Sequence, residues 1–223
     1  MIATQRLDKN KGTRAAHARS RNGANWGGSA QLTINLRPII DMTDDQFLLF
    51  CHINHNLRIE RSATGEIIIM APVGGESGSR NLRLAIRVGL WAEQDGSGVA
   101  FDSSTGFRLP NGAIRAPDAS WVRRTRLATL TSEQKRKFLP LCPDFVAELR
   151  SPSDSLDELQ QKMVEYIANG AQLGWLLDPT DRSVYVYRSE TDPVRLFAIE
   201  SISGDPLLPG FVLALNAIWN PGF

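Results

Sequence analysis

The sequence predicts an α/β fold, a mixed sheet flanked by helices, and three observations carry that expectation. Short apolar runs of strand length alternate along the chain with stretches at helical period. Phe145-Val-Ala-Glu-Leu149 reads as a central strand and is followed closely by an amphipathic helix. Asn111-Gly112, between two apolar stretches, supplies the positive φ angles that a tight hairpin turn needs. The resulting order of helix, strand, helix, hairpin, strand, helix and strands suits a sheet with helices packed on it.

A folded domain is expected over residues 36–223, preceded by a flexible basic extension over residues 1–35. Thr43 with Gln46 three positions later predicts a capped helix through Phe47, Leu48 and Cys51. Thr64-Gly65 marks a turn, and the Ile-rich residues 66–70 a buried strand. Residues 72–79, rich in glycine, read as a loop, and residues 81–93 as an amphipathic helix. Strands over 99–107 and 113–122 join across Pro110-Asn111-Gly112. In the strand over 145–149, alternation sets Asp144, Val146, Glu148 and Arg150 on one face and Phe145, Ala147 and Leu149 on the other. Ser153-Asp154-Ser155 opens a helix over 156–169 that Gly170 ends, and strands follow over 175–177 and 184–188.

Composition narrows the function classes. A chain of 223 residues with 42% apolar content supplies one large domain with a real core. No apolar run approaches the roughly 20 residues that span a bilayer, so no membrane partner is expected. Cys51 and Cys142 stand alone without paired spacing, which argues against a disulfide framework or a zinc site and points to a reducing cytoplasm. The formal net charge of +1 divides unevenly. Arg6, Lys9, Lys11, Arg14, Arg19 and Arg21 face Asp8 alone in the first 30 residues, leaving the remainder acidic. That tail lacks apolar periodicity and reads as a solvated arm or as an arm that binds nucleic acid by releasing phosphate counterions. It has no hydrophobic signal region, although an Arg-rich, acid-poor start is also the composition of a transit peptide.

The chemistry concentrates on two carboxylates and a lysine. Pro117-Asp118 precedes Glu148 by a strand-to-strand separation, and Lys162 follows in the next helix. Hard divalent cations take oxygen ligands, and a cation beside a water is what phosphodiester cleavage demands. Each residue also has a plainer reading. Pro-Asp is a common turn dipeptide, and Pro143-Asp144 opens a strand in the same way. Glu148 interrupts an apolar strand, where a carboxylate needs a salt bridge or a metal. Lys162 lies on the flank of the stripe formed by Leu156, Leu159, Met163, Tyr166 and Ile167, where it can pair with Glu158 in solvent or fold over the sheet end. Glu148-Leu-Arg150 places arginine where a catalytic lysine would stand; arginine stays protonated but can still contact phosphate.

Three segments then acquire a common meaning. Thr105-Gly-Phe-Arg-Leu-Pro-Asn-Gly-Ala-Ile-Arg-Ala-Pro-Asp118, Pro143-Asp-Phe-Val-Ala-Glu-Leu-Arg-Ser-Pro-Ser153, and Lys162-Met-Val-Glu-Tyr166 with Gly174-Trp-Leu-Leu-Asp-Pro179 resemble the Uma-type family of bacterial restriction-endonuclease-like proteins. That family lies in the PD-(D/E)XK nuclease superfamily, and the resemblance covers roughly residues 40–215. It implies a restriction-endonuclease-like core, Asp118 and Glu148 as Mg2+ ligands with Mn2+ as a substitute, and a catalytic lysine displaced to the helix at Lys162. The family's early acidic position falls on Glu60 in Arg58-Ile-Glu60. Gln161 stands before Lys162 where the family often has Glu, which removes a charge but no proposed ligand.

Other motifs fall short. Gly74-Gly-Glu-Ser-Gly-Ser-Arg80 lacks the spacing of a phosphate-binding P-loop, and His52 and His55 have no third ligand nearby. Arg123, Arg124 and Arg126, in a basic linker, read as a solvated loop or as phosphate contacts that position DNA. The sequence therefore points to a Mg2+-dependent endonuclease acting on DNA, a homodimer because cutting both strands needs two sites. The alternative is a catalytically inactive nuclease-fold protein that binds nucleic acid or a protein partner.

Overall fold

Residues 31–222 are described in the computed structural model of the chain. The first elements are strand β1 (Gln31–Ile34), helix α1 (Asp44–Ile53), strands β2 (Arg58–Arg61) and β3 (Ile67–Met70), and helix α2 (Gly75–Asp95). Strands β4 (Gly98–Asp102), β5 (Phe107–Arg108), β6 (Ile114–Arg115) and β7 (Ala119–Arg123) follow, then helix α3 (Arg124–Ala128) and strand β8 (Phe145–Leu149). Helix α4 (Leu156–Ala168) connects β8 to β9 (Leu173–Asp178). Strands β10 (Ser183–Arg188), β11 (Val194–Phe197), β12 (Ser201–Ser203) and β13 (Val212–Ala214) and the short helix α5 (Asn216–Trp219) complete the chain.

Two sheets result. The larger is ordered β11-β10-β9-β8-β7-β4, and the smaller β1-β3-β2-β6-β5. Within the larger sheet only β8 and β9 run parallel. A parallel pair requires a crossover, and α4 supplies it. Because β8 is covered on both faces, all five of its residues are buried. On one face Phe145, Ala147 and Leu149 join Trp121, Trp175, Leu84 and Val88 of α2, and the C-terminal residues Phe211 and Trp219. On the other face Val146 meets Leu159, Met163 and Tyr166 of α4. A third, smaller cluster of Phe47, Ile67 and Ile114 fastens α1 to the smaller sheet.

Several expected boundaries move, each for a physical reason. Residues 1–30 of the expected flexible extension lie outside the described residues, but Gln31–Ile34 within it is a strand whose Gln31 pairs with Met70. Backbone pairing holds β1, since Leu32 and Ile34 stay exposed and the segment has no buried face to reveal it in sequence. Helix α2 starts at Gly75 inside the expected loop. Glycine weakens a helix by about 1 kcal/mol per residue, and here tertiary contacts offset that cost. Ser77 and Arg80 are buried, and Arg80 Nε donates to the Ile218 carbonyl at 2.8 Å. The Asn111-Gly112 turn forms, with Gly112 at φ 89° and the Leu109 amide donating to the Ala113 carbonyl. Its flanking strands, however, are each split. The inner halves β5 and β6 join the smaller sheet, while the outer halves β4 and β7 pair in the larger one. The break on one side follows an Asp102 side chain accepting from the Ser104 amide, and on the other comes at Pro117, which has no donor for the ladder.

The α1 and α4 starts follow the sequence directly. Thr43 Oγ1 accepts from the Gln46 amide at 3.2 Å while Gln46 Oε1 accepts from the Thr43 amide at 2.8 Å. Ser155 caps α4, and Gly170 follows its C-cap with φ 106°. Among the described residues no helix is long and apolar enough to cross a membrane.

Two strand glycines show how closely the sheet is packed. A Cβ on Gly98 would lie 2.2 Å from the Trp121 ring, and one on Gly174 would lie 2.5 Å from the Met163 methyl. The Trp121 indole is rigid and buried, whereas a thioether end adapts. Gly98→Ala is expected to lose about 1–3 kcal/mol by overpacking and Gly174→Ala less, as read from urea denaturation midpoints.

Candidate active site

Glu148 sits in the middle of the larger sheet and projects, with Val146, onto the face that α4 covers. Its neighbour across the sheet is fixed by register. Ala119 lies opposite Ala147 in the antiparallel β7–β8 pair, so the preceding Asp118 falls beside Glu148. Asp118 Oδ2 accepts the Leu149 amide at 2.9 Å, and Oδ1 pairs with the Arg58 guanidinium at 3.2 Å. Lys162 stands on α4 one turn from Leu159 and one turn from Tyr166, the two buried residues that dock the helix. Docking turns its side chain inward, where Nζ lies 2.9 Å from Glu148 Oε1 and 2.9 Å from Glu60 Oε1. Glu60 comes from β2 in the smaller sheet, and the split hairpin brings it near: its Oε1 accepts the Ala116 amide, and its Oε2 pairs with Arg115 at 3.1 Å.

The structure thus gathers Glu60, Asp118, Glu148 and Lys162, all predicted from sequence, into one buried cluster. The two glutamates differ sharply in their surroundings. Burial by itself would raise Glu60, but Lys162, Arg115 and the Ala116 amide outweigh it and hold the carboxyl at about 2. Burial pushes Glu148 up to about 7; the Asp118 and Glu60 charges add to the rise, and Lys162 opposes it without reversing it. Lys162 is raised despite its burial, because Glu148 and Glu60 favour its charged form. Tyr166 donates its hydroxyl to Glu148 Oε1 at 3.0 Å and is itself raised, chiefly by burial. Across the linked residues, Glu60, Asp118, Glu148 and Glu165 face only Arg58, Arg115 and Lys162, so the cluster is short of positive charge.

Three members have no prior assignment from sequence. Arg58 shares a strand face with Glu60 at i, i+2, and that spacing is the signal that finds it. Tyr166 lies one turn beyond Lys162 on α4 but reads in sequence as a core residue. Asn81, on α2, carries no such signal. It lines the same small cavity, about 60 Å³, as Arg58, Ser77, Asp118, Glu148 and Lys162. Asn81 Oδ1 and Arg58 Nε are both buried there without a partner.

The predicted arginines stand apart from the cluster. Arg150 NH1 pairs with Asp178 at 2.7 Å and its Nε donates to the Asp154 carbonyl. Arg123 and Arg126 both pair with the buried Asp144, and Arg124 Nε donates to the Gly96 carbonyl. These three begin at the far end of β7 from Asp118, about 17 Å away at the rise of a strand.

Among the described residues no group of three or more His, Cys, Asp and Glu forms a metal cage. The donor set nevertheless fits a hard cation in kind. Asp118 and Glu148 are adjacent carboxylates, the linked carboxylates outnumber their cations, and Asn81, whose Oδ1 is unpaired, lines the same cavity.

The two glutamates give stability opposite pH dependences. Glu148 titrates at about 7 when folded against an ordinary 4.5, so its contribution is complete below pH 4.5 and is lost as pH rises through about 7. Glu60, held at about 2 against 4.5, contributes above pH 4.5 and loses that contribution as pH falls through about 2. The metal-free protein is therefore expected to lose stability between about pH 4.5 and pH 7 relative to a Glu148→Gln variant, as measured by denaturant titration at each pH.

Comparison with known proteins places the chain in a family and supports its fold. The Uma2 family, described as "Putative restriction endonuclease", matches residues 44–216. No curated protein matches the chain. A crystal structure from Anabaena variabilis, described as "a putative nuclease belonging to DUF820", superposes with a TM-score of 0.63 at 18% identity, covering 80% of this chain and 97% of that one. At that identity the likeness speaks for the fold, a mixed sheet flanked by helices that both chains share. The family match takes in β2, the cavity and every member of the acidic cluster, and the chain belongs to the Uma2 family.

Proposed function

We propose that this chain is a metal-dependent endonuclease that hydrolyses DNA phosphodiester bonds. The observation that carries the reading is the convergence of Asp118, Glu148 and Lys162 on one cavity from three separate elements, with Glu60 sharing the lysine. Asp118 and Glu148 would hold Mg2+, or Mn2+ in its place, which when bound supplies Lewis-acid polarisation of a phosphate oxygen and a more acidic water. Lys162 acts as an ammonium rather than a base, because its pKa is raised. From its position it donates to the attacking water or to the phosphate oxygen that gains charge. Glu60 keeps the lysine aimed, and Arg58, beside Asp118 and half-buried, presents the unpaired Nε to an anionic oxygen. Arg150 and the group Arg123, Arg124 and Arg126 would serve as outlying phosphate contacts that position the duplex without reading its sequence.

A second reading also has its own support. Both candidate ligands already hold cations, Asp118 with Arg58 and Glu148 with Lys162, and these pairs can satisfy the cluster without metal. On that reading the chain is an inactive nuclease fold that binds nucleic acid or a protein. Plasmid cleavage in Mg2+, Mn2+ or EDTA, beside Asp118→Asn and Lys162→Met, separates the two. The endonuclease reading expects metal-dependent nicking that falls by about 10²–10³ in each variant, the scale of losing one charge-stabilising group. Salt-sensitive DNA retention without cleavage, unchanged by metal or by Glu148→Gln, would establish the binding reading instead.

Cutting both strands calls for a twofold dimer, and α2 offers a surface for one. Leu84, Val88 and Ala92 are buried in the core, while Leu82, Ile86 and Leu90 on another face are 62%, 47% and 49% exposed. A helix apolar on two faces is suited to two partners. An antiparallel pair centred on Ile86 sets Leu82 of one copy against Leu90 of the other, as twofold symmetry requires. Ile86→Glu is expected to shift the protein to a monomer in sedimentation analysis and, acting on supercoiled plasmid, to change its product from linear DNA to nicked circles.

A further inference from the structure

Asn81, a residue that lines the cavity, carries a buried carbonyl oxygen that the folded chain leaves unsatisfied. A buried acceptor without a partner costs about 1–3 kcal/mol, so its retention calls for a reason. The orientation of the amide is determined by its neighbour: Nδ2 lies 3.5 Å from Asp118 Oδ1, and turning the group over would set two acceptors against each other. Oδ1 is therefore the unpaired atom. Asn81 lies one helical turn beyond Ser77, and both side chains line the cavity with Asp118, Glu148 and Lys162.

A second orphan in the same cavity sharpens the chemistry. Arg58 Nε is a buried donor without an acceptor, and its guanidinium already binds Asp118. The residues lining the cavity therefore include one oxygen that lacks a positive partner and one N–H that lacks a negative partner, both on side chains bonded to Asp118 Oδ1. A divalent cation meets the first requirement and an oxygen of a phosphodiester meets the second. A neutral donor also suits the electrostatics, since a further carboxylate beside Asp118 and Glu148 would add repulsion to a cluster already rich in acids.

We infer that Asn81 is a neutral oxygen ligand of the divalent cation assigned to Asp118 and Glu148, a role that rests on the endonuclease reading. Metal affinity measured directly tests it apart from turnover. Calorimetric titration of the metal-free full chain with Mn2+, and with Mg2+, would compare wild type with Asn81→Leu, Asn81→Asp and Asp118→Asn. Asn81→Leu keeps the size of the side chain and removes its oxygen, and is expected to weaken binding roughly 10-fold or more, within the 10–100-fold range seen when groups around a metal are removed. Asn81→Asp restores an oxygen and is expected to bind at least as tightly as wild type. The metal-free Asn81→Leu protein loses the long 3.5 Å hydrogen bond to Asp118 together with the unpaired oxygen, so it is expected to melt close to wild type. Equal affinity in Asn81→Leu and wild type would overturn the role while leaving the endonuclease reading intact. Equal weakening in Asn81→Leu and Asn81→Asp would show a packing effect and overturn it as well. No binding to wild type would overturn both.

Discussion

A carboxylate buried in the middle of an apolar strand is the constraint on which the rest of this structure depends. Glu148 lies on β8 between two covered faces, and an unpaired charge there would cost several kcal/mol. Lys162 and Tyr166 answer that cost from α4, the crossover that the parallel β8–β9 pair already requires. One helix therefore serves both the topology and the electrostatics. The lysine is in turn too strongly charged to be buried beside Glu148 alone, and Glu60 arrives from the smaller sheet to share it. Arg115 then pairs with both Glu60 and Glu165, so each charge brought inward recruits the next.

This chain of compensation is incomplete, and its incompleteness is the functional signal. Glu60, with a lysine, an arginine and a backbone amide, is held at about 2, while Glu148, next to Asp118 and sharing its lysine, rises to about 7. Two residues of one chemical type are driven apart by their surroundings, a pattern typical of sites that handle protons or charge. The unpaired Asn81 oxygen and Arg58 N–H lie at the same place. Stability would be served by satisfying these groups within the chain. On the endonuclease reading, leaving them open would keep the cavity receptive to a cation and an anion together.

Much of the site was legible because its residues break local rules. Glu148 interrupts an apolar strand, Pro117 interrupts a hairpin arm, and Lys162 sits on the edge of a helical stripe, all of which can be read along the chain. The capping of α1 by Thr43 and Gln46 and the turn at Asn111-Gly112 were equally visible, since both depend on neighbours a few residues apart. What escaped was decided at longer range. The extension of α2 back to Gly75 is supported by an Arg80 hydrogen bond to Ile218, 138 residues away. The splitting of one expected hairpin between two sheets, the pairing of Arg150 with Asp178 and the engagement of Arg123 and Arg126 by Asp144 likewise join distant segments.

The sequence by itself determined the starts of α1 and α4, the turn at Asn111-Gly112, which carboxylates and which lysine to single out, and the family to which the chain belongs. These properties follow from periodicity, caps and turn residues, whose physics is local. The tertiary structure alone decided that Lys162 pairs with Glu60 and Glu148, that Arg58 pairs with Asp118, and that Asn81 lies beside Asp118 with its oxygen unpaired. Those pairings depend on sheet register and on burial, and the strength of an electrostatic interaction is set by how much water the fold removes from around it.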